Sequence, residues 1–172
     1  TVFLPALLDA SVEEVAKLRP LLALPTRLGG LGIPDPTTTG EFCYASSTAS
    51  TNLLHSSLVE GTSLCATEHR RDASTGRLAA KANQRRATEG RLAAILAASR
   101  PMEKRRITRS ATTGAWLSTR PSLLNGSDLS AEEFRDGVRL RLGLTPTSLP
   151  PRCDGCGERF STEHAMSCRK GS

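Results

Sequence analysis

Four side chains with metal-binding chemistry crowd into RCDGCGERFSTEHAMSCRKGS, residues 152–172: Cys153, Cys156, His164 and Cys168, spaced C-x2-C-x7-H-x3-C. Two thiolates separated by two residues reach one ion from a tight turn, and a histidine with a cysteine four positions on closes a tetrahedron. Asp154-Gly155 and Gly157 give that turn its backbone freedom, and their amides can donate to the sulfurs. Three thiolates and an imidazole leave no position for water, so the spacing predicts a structural zinc site and not a hydrolytic one.

The surroundings favour metal over disulfide. The sequence has no secretory apolar core and no apolar run approaching about 18 residues, so an intracellular chain without a membrane span is expected. Its five cysteines, an odd number, fit a disulfide framework badly. Chance grouping of free thiols is the alternative, and the ligand count and turn glycines weigh against it. Cys43 and Cys65 stand apart among small or apolar neighbours and read as core residues, because neither His55 nor His69 has a marked partner that would make a nucleophile of them.

A formal charge of +6 is spread unevenly over the 172 residues. Residues 1–65 are net −3, residues 66–120 net +9, and residues 121–172 neutral. A polyanion would therefore meet the middle of the chain. Arg70, Arg71, Arg77, Lys81, Arg85 and Arg86, followed by Lys104, Arg105, Arg106 and Arg109, are the candidate phosphate contacts. A solvated helix face would carry the same charges.

The elements that must position these residues read as helices, since no segment alternates cleanly and β-branched residues cluster nowhere. A short apolar segment at 2–9 contains Pro5. Ser11 and Glu14 form a capping box for a second helix, and Pro20 is expected to stop it. The Gly- and Pro-rich stretch LALPTRLGGLGIPDP, residues 22–36, is expected to be a shaped connector in which Gly29, Gly30 and Gly32 allow positive φ or close backbone approach, while Leu28, Leu31 and Ile33 seek burial. Without a strand before it, this stretch makes a poor phosphate loop. Asp35 and Pro36 cap the next helix, whose apolar stripe is Phe42, Ala45, Ala49 and Leu53.

Residues 66–99 lack proline and are rich in Ala, Arg and Leu, predicting one or two long helices with Gly76 or Gly90 as candidate breaks. Arg70, Arg77, Lys81 and Arg91 fall within a sector of about 80° on such a helix. In the final long helix, Ser130 and Glu133 form a capping box, Leu129 and Phe134 a hydrophobic staple, and Gly143 the C-terminal stop. Phe134, Val138 and Leu142 are its expected buried edge. Trp116 and Phe160 are the two candidates for stacking on a base; Trp116 reads as a core anchor, and Phe160, inside the cysteine-rich loop, is open to stacking or to packing over the metal. The expected fold is mainly α, a helical body followed by a small zinc knuckle.

Taken together, RLGGLGIPDP, GAWLSTRPSLLNGSDLSAEEFRDGVRLRLGL and CDGCGERFSTEHAMSC resemble the C-terminal part of non-LTR retrotransposon reverse transcriptases, over most of residues 22–170. The likeness is to the class in which the polymerase is followed by a zinc knuckle and a restriction-like endonuclease. It implies a thumb-like segment at 1–65, a basic helical linker at 66–145 that contacts nucleic acid, and a knuckle at 146–172 held by Cys153, Cys156, His164 and Cys168. It also implies a nuclear location and, as partners, RNA or DNA with the polymerase upstream and the endonuclease downstream. Neither catalytic pattern is present: the chain has no adjacent aspartates, and Pro34-Asp35 is not followed by the nuclease's acidic residue and lysine. A piece of the polyprotein that binds nucleic acid without catalysis is the resulting expectation, and its first residue, Thr1, fits a piece. A zinc-knuckle adaptor that recruits a protein partner is the competing reading.

Overall fold

The computed structural model describes residues 3–147 and 149–170. The described residues are mainly helical, with no strand among them. Helices α1 (Phe3–Leu8), α2 (Val12–Leu22), α3 (Pro36–Glu60), α4 (Ala66–Ala98), α5 (Pro101–Thr112), α6 (Ala131–Leu142) and α7 (Thr162–Ser167) are joined by loops that include three short 3-10 turns.

One cluster of buried side chains draws Leu4 and Leu8 from α1, Val15, Leu21 and Leu22 from α2, Leu24 from the connector, Ile107 from α5, and Val138 and Leu142 from α6. Residues far apart in sequence therefore share a core. The connector closes it from one side. Leu31 and Ile33 donate their amides to the Leu22 carbonyl at 3.3 and 3.2 Å, and Gly32 donates to Leu24 at 2.8 Å, so the loop satisfies carbonyls that the end of α2 leaves free. Gly29 and Gly32 have φ of +91° and +70°. At Gly30 the need is space: a β-carbon there would stand 2.0 Å from the Leu24 carbonyl oxygen.

The expected stop at Pro20 does not occur, and α2 runs on to Leu22. A proline so close to the end removes a single helical hydrogen bond, and burial of Leu21 and Leu22 outweighs that loss. Ser11 and Glu14 do form the capping box, with Ser11 Oγ accepting from the Glu14 amide at 3.2 Å and the Glu14 carboxylate accepting from the Ser11 amide at 3.0 Å.

Helices α3 and α4 form a long antiparallel hairpin. Asp35 caps α3 by accepting from the Thr37 amide at 3.1 Å, and Gly61, at φ +64°, ends it. Phe42, Ala45 and Ala49 line a shallow crevice against Gly76, Ala79 and Ala80 of α4. Neither Gly76 nor Gly90 breaks α4, which continues for 33 residues. Each glycine costs about 1 kcal/mol locally, while the Ala, Arg and Leu around it favour helix. At Gly76 a β-carbon would lie 3.8 Å from the Ala49 backbone, an ordinary contact, so the seam with α3 does not require a glycine there.

Cys43 and Cys65 are both exposed, not core residues. The hairpin has one narrow seam and α3 buries no residue fully, so small neighbours in sequence do not mean an interior position. Cys65 instead stands at the N-cap of α4.

Helix α6 has its capping box, with Ser130 Oγ accepting from the Glu133 amide at 3.2 Å, and ends at Gly143 with φ +80°. Val138 and Leu142 are each 1% exposed, but Phe134 is 37% exposed. Its ring meets Trp116 edge-on, centroids 5.8 Å apart at 73°, and Trp116 packs against the core as expected. The α6 arginines do work that the sequence did not suggest. Arg139 donates to the carbonyls of Leu8 and Asp9, at 2.7 Å for the latter, and to Thr145 at 2.6 Å. Arg141, only 7% exposed, donates to the carbonyls of Thr26, Ser110 and Gly30. The two arginines thereby tie α6 to the end of α1 and to the glycine-rich connector.

Candidate metal centre

The segment after α6 builds a small hairpin. Cys153 donates its amide to the Glu158 carbonyl at 2.8 Å, Gly157 donates to Cys153 at 2.8 Å, and Phe160 donates to Pro151 at 3.3 Å. Arg152 and Arg159 form an isolated antiparallel bridge. Gly157, at φ +77°, makes the reversal at a conformation that other residues resist. Cys153 precedes this turn and Cys156 lies within it, both ahead of Gly157.

The other two ligands come from α7. Ser161 Oγ accepts from the His164 amide at 3.0 Å and so caps the helix, and Cys168 ends it by donating its amide to the His164 carbonyl at 2.8 Å. One helical turn thus aims His164 and Cys168 at the hairpin. The four predicted residues come together, with Sγ of Cys153, Cys156 and Cys168 and a ring nitrogen of His164 all within 4.8 Å of one another. The sulfurs of Cys153 and Cys168 are 3.7 Å apart, near the roughly 3.8 Å between corners of a tetrahedron with sulfur at about 2.3 Å from its centre. Cys156 Sγ and His164 Nε2 are closer, at 3.1 Å.

Cys153 is buried, while Cys156, His164 and Cys168 are partly so. The amides of Cys156 and Gly155, with the His164 ring, hold the Cys153 thiol down to about 6. For Cys156 the Glu158 amide pulls downward, but burial and the sulfurs of Cys153 and Cys168 outweigh it and raise the thiol. One thiolate is therefore stabilised by backbone dipoles, and neighbouring sulfurs resist a second. A cation at the centre would remove that conflict, which fits the donor set to a metal ion.

The predicted phosphate contacts are distributed over α4 and α5. Arg70, Arg71, Arg77, Lys81, Arg85, Arg86, Lys104, Arg105 and Arg109 are exposed, and Arg85 pairs with Glu89 at 2.8 Å. Arg106 is different. Its guanidinium lies beneath Gly143, where a β-carbon would stand 1.5 Å from Nη1, and its buried Nε has no hydrogen-bond partner among the described residues. Burial lowers its affinity for a proton, with Glu103 opposing.

Among the described residues, no helix is long and apolar enough to cross a membrane. Comparison with known protein families, with curated proteins and with solved structures finds no match to this chain.

Proposed function

We propose that the chain is a non-catalytic, nucleic-acid-binding piece of a non-LTR retrotransposon reverse transcriptase, in which a zinc knuckle closes a basic helical linker between polymerase and endonuclease. The observation that carries the binding part of this reading is the exposure of nine of the ten candidate basic side chains on α4 and α5. Arg70, Arg77, Lys81 and Arg85 share a strip of α4 about 22 Å long at 1.5 Å per residue, enough for about six phosphates of one strand. Such contacts position template RNA or target DNA without reading sequence.

Zinc suits three thiolates and an imidazole better than hard cations do. It would supply structural cross-linking to the knuckle and no reaction. The retroelement assignment itself rests on the sequence resemblance.

The test of binding is a salt titration. Wild-type chain should bind structured RNA with affinity falling steeply as salt rises. Reversing Arg77 and Lys81 to Glu should weaken binding and reduce the log–log slope by about two. Exposed Tyr44, Leu58, Val59 and Leu78 on the hairpin favour the adaptor as second reading, and salt-insensitive binding to a polypeptide with none to RNA or DNA would establish it instead.

A further inference from the structure

The geometry points to a site for an unpaired nucleotide where the knuckle meets the helical body. This inference rests on the reading of the chain as a nucleic-acid binder and names the part of the strand bound at this place. A cleft of ≈ 600 Å³ lies between the start of α5, the end of α6 and the knuckle, within the range of about 300–1,000 Å³ that small ligands use.

The cleft joins two kinds of surface. Arg100, Arg106 and Arg159 bring guanidinium groups from two separate parts of the chain, and Phe160 adds an aromatic ring. Met102 and Leu140 also line it, and remain 73% and 48% exposed. Two carboxylates share the lining, Glu103 and Glu163. Glu103 is already engaged by Arg100, at 2.9 Å from its Nη2 and 3.0 Å from its amide. Arg106 and Arg159 form no ion pair among the described residues, and Arg106 Nε lacks any partner.

Guanidinium forks and an aromatic ring lining one cleft match the two halves of a nucleotide, the phosphate and the flat base. A paired base has both faces covered by its neighbours, so the chemistry selects an unpaired one. Phe160 is set in place by the knuckle: its amide donates to Pro151, and its ring stands edge-on to the His164 imidazole, centroids 6.1 Å apart at 64°. A metal held by His164 would steady the ring beside it, and Arg106 lines the same cleft.

The experiment uses the zinc-loaded full chain and two fluorescent probes, a single strand of about ten nucleotides and the corresponding blunt duplex. Phe160→Leu keeps an apolar side chain beside His164 but removes the aromatic face, and Arg159→Gln changes an exposed side chain that makes no ion pair among the described residues. Each should weaken single-strand binding about tenfold while duplex affinity stays within about twofold, and Phe160→Tyr should bind like wild type. The inference is overturned if both variants bind the single strand as wild type does while the Arg77→Glu, Lys81→Glu variant binds more weakly. Equal losses on both probes overturn it too, because they show general charge and not an unpaired base. If wild type binds neither probe, the nucleic-acid reading itself falls, and the cleft assignment with it.

Discussion

Arg141 and Ser110 hold each other from both ends. Nη1 of Arg141 donates to the Ser110 carbonyl at 2.6 Å, and Ser110 Oγ donates back to the Arg141 carbonyl at 3.3 Å. The same guanidinium reaches Thr26 at 2.7 Å and Gly30 at 3.3 Å, with no carboxylate among its partners in the described residues. Backbone carbonyls at three places in the sequence thus depend on one buried cation. Arg141→Ala should leave several of them unsatisfied and destabilise the chain by about 3 kcal/mol. Arg141→Lys should recover part of this, because an ammonium cannot address divergent carbonyls with a planar fork. Chemical denaturation measures both, and a loss below about 0.5 kcal/mol for Arg141→Ala would show that water replaces the guanidinium.

Two glycines should respond oppositely to alanine. Gly30→Ala forces a methyl to within 2.0 Å of the Leu24 carbonyl and 2.5 Å of Leu21, and backbone cannot yield there without opening the connector. A loss of about 3 kcal/mol or more follows, or failure to fold. Gly90 has nothing within 4 Å of its would-be β-carbon and lies inside α4, so Gly90→Ala should gain roughly 0.5–1 kcal/mol. Thermal unfolding of the two variants side by side decides the matter, and a destabilised Gly90→Ala would mean that α4 bends there.

Local signals carried much of this fold because they act over three or four residues. Ser11 with Glu14, Asp35 with Pro36, Ser130 with Glu133 and then Gly143 each specify a helix boundary by bonds made within one turn. What was not legible depends on partners far away in sequence. Whether α2 stops at Pro20 is settled by burial of Leu21 and Leu22, and whether Cys43 is interior depends on which face of α3 meets α4. The part of Arg139 and Arg141 in bonding Leu8, Asp9, Thr26 and Gly30 spans over 100 residues, beyond any local pattern.

The candidate metal site was legible for the same reason. All four ligands lie within 153–168, and ligand type, turn glycine and one helical turn are enough to bring them together. The cleft beside it was not, since Arg100 and Arg106 come from the N-cap and body of α5 and Arg159 and Phe160 from the knuckle. A charge count places Arg106 with its exposed neighbours. Only the fold shows that Gly143 leaves space for its guanidinium.

Acid should loosen the helix starts together. The carboxyls of Glu14, Glu103 and Glu133 lie below their ordinary value of 4.5, chiefly because the amides of Ser11, Arg100 and Ser130 donate to them. A lowered carboxyl stabilises the fold above its unfolded value and loses that contribution as pH falls through the folded value. Helicity should therefore decline below about pH 4.5. Replacing all three by Gln keeps an acceptor at the capping position and removes the titration, so circular dichroism of that variant should be flatter between about pH 5 and pH 3. The same acid decline in the triple variant would assign the effect to other carboxylates.

Metal should decide the structure of residues 150–170 while leaving the helical core in place. The hairpin and α7 bury little besides Cys153, so apolar burial cannot hold so small a unit, and cross-linking through the four side chains must replace it. Cobalt titration should give one ion per chain, with the strong visible bands of tetrahedral thiolate coordination. Cys168→Ser should abolish or weaken those bands, whereas Cys43→Ser, on the exposed face of α3, should not change them. Chelation should open residues 150–170 to protease and leave α1, α2, α5 and α6 protected, because their core of Leu8, Leu22, Leu24, Val138 and Leu142 contains no ligand. A cobalt spectrum lost equally in Cys43→Ser would exclude the assigned ligand set. An unchanged protease pattern on chelation would show that the hairpin and α7 stand without metal, so that the cluster is a group of thiols and not a structural centre.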